Sequence, residues 1–330
     1  MNSFTLKNIP TELKIFDLKN PTDTMRLDNA LIFEEYKKYF NTAKSKLWDS
    51  KKVEIYDIFK HTKSIYPINS NASQKIREMF DMVKTVPSSS FHNAEFPGGF
   101  VKETIRCYPE IKWLISSWMP KEQTTAITDK YNLYKTYPEN FITIPSHIRD
   151  NPMEDGNLTK LSECQRIYKE VLKRRGNGVD LYTSDGGIET NDYLNQESAT
   201  FVLKIGEAIV GLNVLKPGGT MILKFYTCFE ENTRSLILHL CMFFNKYYIV
   251  KPATSRITNS EIYFVGMDFI SVNPPELSES DKLLILANLY DTQKYLGDFQ
   301  LQITKLMTKK VPSDIVQELN EKWQEKYLPK

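Results

Sequence analysis

The sequence predicts an α/β fold: an open, mostly parallel sheet with one antiparallel strand at or near an edge, and helical additions at both ends. Three observations carry that expectation. Between about residue 70 and residue 267, short strand-like runs alternate with longer runs of helical period. Gly-rich turns punctuate them: Ser184-Asp185-Gly186-Gly187 closes one strand, and Leu215-Lys-Pro-Gly-Gly219 opens the next. The last two strands are joined by a loop without a helix, Lys251 to Glu261, which turns the final strand against its neighbours.

Residues 1–25 mix Pro10, Pro21 and polar residues without a period, as an arm or irregular cap would. From Arg26 to about Lys60 the spacing of Leu27, Leu31, Phe33 and Tyr36 is helical. Lys44, Lys46, Lys51 and Lys52 make this stretch basic around Trp48, either as a solvated helix face or as a surface facing nucleic acid. Ser70 to Lys75 offers N-cap residues, and Ile76, Met79, Phe80 and Val83 then form one buried stripe. Phe91 to Glu95 reads as a strand, followed by Phe96-Pro97-Gly98-Gly99-Phe100 and a helix to Cys107. A strand, a Gly-Gly turn and a helix bring backbone close to a nucleotide-like ligand, although Pro-Gly-Gly also makes ordinary turns.

Ile111–Ile115 and Phe141–Ile144 are further strands, and a helix runs from about Leu158 to Arg175. Its basic end, Lys173-Arg174-Arg175, complements the helix dipole. The strand Val179–Thr183 leads to a central helix expected to pack Phe201, Ile205, Ala208, Ile209 and Leu212 on the sheet. Thr220–Leu223 is a strand, Leu236, Leu240, Phe243 and Phe244 mark the next helix face, and Ile262–Val265 is the last strand. Beyond Met267 the pattern is helical near 281–292, 296–309 and 313–326, broken by Pro274-Pro275 and Pro312. The expected division is 1–69, an N-terminal helical extension; 70–270, the α/β domain; and 271–330, a C-terminal helical extension.

With 41% hydrophobic and 25% charged residues, the chain is composed like a soluble globular protein. Its net charge of +2 announces no nucleic-acid partner, though a local basic face is compatible with it. Four scattered cysteines without C-x-x-C spacing argue against zinc and disulfides and for a reducing compartment such as the cytoplasm. The four histidines lack metal-ligand spacing, so no metal site is expected, and no apolar run is long enough for a membrane span.

Asp185 and Lys224 stand where parallel strands finish, and Glu261 where the reversed strand begins. The three would therefore meet at the edge where open α/β sheets hold ligands. Taken singly, each has a plain reading: lysines at strand ends snorkel, and an Asp before Gly-Gly forms a turn. Together with Lys75 on its helix, Pro97-Gly98-Gly99-Phe100, the stretch Leu215 to Lys224 and the stretch Ser255 to Glu261, they resemble the FtsJ-type, or RrmJ-like, ribose 2′-O-methyltransferases over roughly residues 70–267. The sequence is most similar to the cap-directed enzymes of large cytoplasmic DNA viruses.

The resemblance implies a Rossmann-like class I methyltransferase fold, S-adenosyl-L-methionine as methyl donor, and RNA, foremost the capped mRNA 5′ end, as partner. It implies host cytoplasm or virion as location, and partner subunits of a capping or mRNA-processing complex. Its Lys-Asp-Lys-Glu tetrad falls on Lys75, Asp185, Lys224 and Glu261, and its donor loop on Glu95 and Pro97 to Phe100. Asp155 falls on the acidic position at the donor's adenine, and Asp185 also borders the donor. Ser255 and Arg256 are candidates for RNA phosphate, or for shaping the loop before the last strand.

Two departures stand out. The strand before Pro97 reads His92-Asn-Ala-Glu95-Phe96 where the family has an acidic-glycine end, and Ser116-Ser117-Trp118 replaces the acid offered to the donor's ribose. The implied reaction is methylation of the first transcribed nucleotide; the rivals are an rRNA or tRNA enzyme of the same chemistry and a catalytically silent RNA-binding or stimulatory subunit. In that chemistry Lys224 is the base, Lys75 supplies a cation that lowers its pKa, and the carboxylates orient the amine.

Overall fold

The computed structural model describes residues 13–20, 30–49, 70–83, 86–119, 129–144, 154–188, 192, 194–255, 259–306 and 313–327. In chain order the elements are β1 (Lys14–Asp17), α1 (Ala30–Asp49), α2 (Asn71–Phe80), β2 (Ser89–Asn93), α3 (Gly99–Cys107), β3 (Lys112–Ser116), a helical turn Leu133–Thr136, α4 (Leu161–Arg175), β4 (Val179–Ser184), α5 (Gln196–Val214), β5 (Leu215–Phe225), α6 (Glu231–Cys241), β6 (Phe244–Lys251), β7 (Ile262–Phe269), α7 (Glu279–Leu306) and α8 (Ser313–Tyr327). The strands form one seven-stranded sheet in the order β1-β6-β7-β5-β4-β2-β3. β3, β2, β4 and β5 are mutually parallel. β7 runs antiparallel between β5 and β6, as the loop-only connection to β6 requires.

The strands nearest the site are buried on both faces, as helices covering a parallel sheet demand. β2 is buried at every position, including His92, whose ring is held by Thr183 Oγ1 at 2.7 Å and Ser90 Oγ at 2.9 Å. Burial pulls that imidazole down to about 3, so it is a neutral cross-strand tie. α2 starts on Ser70, whose Oγ accepts from Ser73 N, and it buries Ile76, Met79 and Phe80 as the stripe predicts.

Several expectations change. The N-terminal arm contains a strand, β1, which pairs antiparallel along the exposed edge of β6. Phe141–Ile144 makes only one bridge to β3, at Ile115, and Thr143 Oγ1 lies 2.7 Å from Ser116 Oγ beside it. The two helical stretches after Pro275 are one helix, α7. The basic end of α4 does more than face a dipole: Arg174 donates to the carbonyls of Glu139 and Phe141, and Arg175 to that of Trp113.

The face of α5 also differs from its apolar pattern. Lys204, Glu207, Ala208, Val210, Gly211 and Val214 are buried, whereas Phe201, Ile205 and Ile209 are only half-buried. Two contacts rotate the helix. A Cβ at Gly211 would come within 2.5 Å of the Tyr182 ring, so only glycine allows this approach, and a Lys204–Glu207 ion pair is turned inward. At the C-terminus, Trp323 of α8 donates to Glu78 of α2 at 3.1 Å, tying the last helix to the one that carries Lys75. No helix among the described residues is long and apolar enough to cross a membrane.

Candidate active site

Because β5 and β7 are antiparallel with Lys224 opposite Tyr263, the start of β7 lies beside the end of β5. Glu261 therefore reaches the edge where β4 ends in Asp185 and β5 in Lys224. Lys75, one turn into α2, closes the group from above the sheet. Its Nζ pairs with Glu261 Oε1 at 2.6 Å, and Lys224 Nζ lies 3.2 Å from Asp185 Oδ1 and donates to Asp185 O at 2.6 Å. Tyr263 OH donates to Asp185 Oδ1 at 2.8 Å. The two ion pairs form one electrostatic unit, since Glu261 also acts on Lys224 and Lys224 on Glu261.

Burial works to lower Lys224, but Asp185, Tyr226 and Glu261 outweigh it and hold the amine well above the ordinary lysine range. Burial works to raise Glu261, but Lys75, Lys224 and Lys251 draw it down to about 2. The expectation that Lys75 would loosen the proton on Lys224 is thus corrected. Lys75 is spent on Glu261, and the carboxylates hold Lys224 as an ammonium aimed by two oxygens.

Beneath this layer lies a brace that apolar periodicity conceals. Lys204 Nζ pairs with Glu207 Oε2 at 2.6 Å and donates to Gly186 O at 2.9 Å. Glu207 Oε1 accepts from Ser184 Oγ at 2.8 Å and from Gly186 N at 2.9 Å. The turn presenting Asp185 is consequently clamped by buried charge. Sequence reading passed over both residues, yet oppositely charged neighbours three apart in a helix so rich in Ala, Val, Ile and Gly were a visible signal.

The donor-side residues gather at the ends of β2 and β3. Glu95 is buried, and its Oε2 accepts from Phe100 N at 3.0 Å, tying Pro97-Gly98-Gly99-Phe100 into a closed turn. Burial and the neighbouring Asp185 push the Glu95 carboxyl well above the usual carboxylate range. Asp155 lies beside Trp118, 3.4 Å from the indole nitrogen, with its carbonyl accepting from Met119 N at 2.7 Å. An acid therefore stands at the end of β3 although Ser116-Ser117-Trp118 supplies none. The acidic side chains of Glu95 and Asp185 stand close enough to act on one another, and a cationic ligand fits beside them, as a sulfonium donor that also carries an ammonium would.

Gly98 has a left-handed φ of +98°, and a Cβ there would meet Leu133 Cδ1 at 2.2 Å. Gly98→Val is therefore expected to deform the turn and weaken donor binding at least about tenfold, since the cost combines backbone strain with a clash. Calorimetric titration of the donor checks this; unchanged affinity would show that the turn does not border the donor.

The structure thus brings together Lys75, Asp185, Lys224 and Glu261, with Glu95 and Phe100 alongside and Asp155 at the end of β3. Of its two expected roles, the structure supports the second for Ser255: it is 1% exposed and donates to Glu261 Oε1 at 2.8 Å, shaping the loop before β7. Arg256 lies outside the described residues. Lys251, not singled out in the sequence, donates to Glu261 O at 2.8 Å and to Asn259 O and Oδ1, holding the same loop.

A twisted α/β sheet whose reversed strand sets a Lys-Glu pair beside a Lys-Asp pair defines an FtsJ-like methyltransferase. The chain belongs to that family, whose description matches residues 68–269. FtsJ-like methyltransferases use S-adenosylmethionine as methyl donor. The probable methyltransferase EP424R of African swine fever virus is 36% identical over 211 residues, covering 60% of this chain and 50% of its own. The cap-specific mRNA (nucleoside-2′-O-)-methyltransferase 2 of Danio rerio is 29% identical over 198 residues, 57% of this chain and 25% of its own. Among solved structures, a putative ribosomal RNA methyltransferase of Plasmodium falciparum has 17% identity and a TM-score of 0.42, over 61% of this chain and 98% of that one. The chain spans about half the length of the viral relatives it matches.

Proposed function

We propose that this chain methylates the ribose 2′-hydroxyl of RNA, at the first transcribed nucleotide of capped mRNA, with S-adenosylmethionine as donor. The observation that carries the reading is the convergence of Lys75–Glu261 and Lys224–Asp185 at one sheet edge. The cap-specific names of relatives at modest identity support the choice of acceptor. When bound, the donor supplies an electrophilic methyl on a sulfonium. Lys224, aimed by Asp185, faces the acceptor hydroxyl; once its ammonium has lost a proton to solvent, the free amine accepts the hydroxyl proton as the oxygen attacks the methyl and the sulfonium leaves as a neutral thioether. Lys75, fixed by Glu261, is a second cation placed to hold the hydroxyl oxygen in line. Such positioning supplies much of the acceleration in displacement reactions.

Short RNAs with and without a 5′ cap, incubated with labelled donor and mapped for the modified atom, test the reading. Preference for capped RNA, with label on the first 2′-oxygen, is the expected result. Equal transfer at internal positions of uncapped RNA would replace the cap assignment with an rRNA- or tRNA-type activity. Absence of both transfer and donor binding would replace it with a silent subunit, the reading favoured by the departures at Glu95 and Ser116-Ser117-Trp118.

A further inference from the structure

Resting on that RNA-methylating reading, we propose that Lys44 of α1, with Ser260, is a seat for a phosphodiester of the acceptor RNA beside the ribose presented to Lys224. Lys44 is 7% exposed although it stands in the basic stretch expected to be a solvated face. Its Nζ has Ser260 Oγ at 3.2 Å and the Phe40 ring at 5.4 Å, and no carboxylate among the described residues pairs with it. A buried ammonium with neutral neighbours alone is unfavourable, and an anionic ligand would supply the missing counter-charge. Burial draws Lys44 down to about 8, which an arriving anion would reverse.

The surroundings agree. Lys44 lines a cavity of about 270 Å³ with Phe40, Tyr226 and Ser260, and Tyr226 and Ser260 also line a cavity of about 560 Å³ under α7. Tyr226 joins this groove to the site, its ring centroid 5.8 Å from Lys224 Nζ. Lys251 lines the larger cavity, bonded to the uncharged Ser255 and Asn259 and to the carbonyl of Glu261. Lys251 and Lys75 share the carboxylate of Glu261, already paired with Lys75, and Lys44 has no part in that pair. Glu197, the other acid on the smaller cavity, is turned to Thr227 Oγ1 and the N–H groups of Phe229 and Glu230. The surplus is positive, and a singly charged phosphodiester matches it.

The test measures binding of a short capped RNA by fluorescence anisotropy over a salt series, for the wild-type chain, Lys44→Met and Lys46→Met. Lys46 is exposed on the same helix and reports diffuse charge. Lys44→Met is expected to bind RNA about tenfold more weakly. Its slope of log K against log salt should be shallower by about 0.7, one phosphate contact on a single strand. The kinetic loss should fall mainly on KM for RNA, donor affinity should hold, and the variant should melt no lower than the wild type because an unpaired buried charge is gone. Lys46→Met should leave the slope near the wild-type value. Unchanged affinity and slope in Lys44→Met, or an equal change in Lys46→Met, with RNA methylation intact, would overturn the seat. A wild-type chain that methylates no RNA would overturn the function on which the seat rests.

Discussion

Lys224→Ala is expected to lower the rate constant for methyl transfer by about 10²–10⁴-fold, the range a placed general base contributes, while donor binding stays close to wild type. The side chain ends β5 at the convergence of the ion pairs, and no other described amine has Asp185 as its partner. Lys224→Arg should not rescue, because a guanidinium does not give up its proton in the accessible range. Since Asp185, Tyr226 and Glu261 hold the proton on Lys224, the wild-type rate should climb with pH through the alkaline range, and that limb should vanish in Lys224→Ala. Single-turnover transfer from labelled donor measures both. Near-normal turnover by the alanine variant would remove Lys224 as the base.

Lys204→Ala is expected to cost about 3–5 kcal/mol of stability, the consequence of leaving Glu207 buried without its cation. Urea denaturation measures it, and a loss below about 1 kcal/mol, the size of an exposed pair, would contradict the buried brace. The double variant Lys204→Met with Glu207→Leu should recover much of the stability, because apolar isosteres replace both charges. It should not recover activity. Ser184 Oγ and Gly186 N would lose their shared acceptor, and the turn that presents Asp185 would no longer be set.

What was legible before the structure followed from local rules. The alternation of elements, the cap and stripe of α2, and the reversal of the last strand are encoded in contiguous residues, and so is the placement of Asp185, Lys224 and Glu261 at strand ends. What was hidden depends on partners distant in the chain. β1 is a strand because β6 offers it an edge, and Phe141–Ile144 meets β3 at a single bridge. Charge in a helix reads as solvent-facing, so Lys204 and Glu207 were passed over, and the basic stretch holding Lys44 stood between a solvated face and a surface facing nucleic acid. Each is buried by a neighbour that no window of sequence contains. For the same reason Ser255 stood between RNA contact and loop shaping until Glu261, six residues on, was seen to claim its hydroxyl.

The place of β7 has a consequence for how the protein becomes competent. It is the last strand in the chain, yet it fills the gap between β5 and β6, each antiparallel to it. Until it inserts, β5 lacks its neighbour on that side and Glu261 has no position beside Lys75. A slip of one residue against β5 would send alternate side chains to the opposite face, taking Tyr263 away from Asp185. During synthesis the first 260 residues can assemble the donor side of the molecule, but the acid that fixes Lys75 arrives with the closing strand. The Lys75–Glu261 pair therefore forms only once that strand is in register, and recovery of activity on refolding requires it.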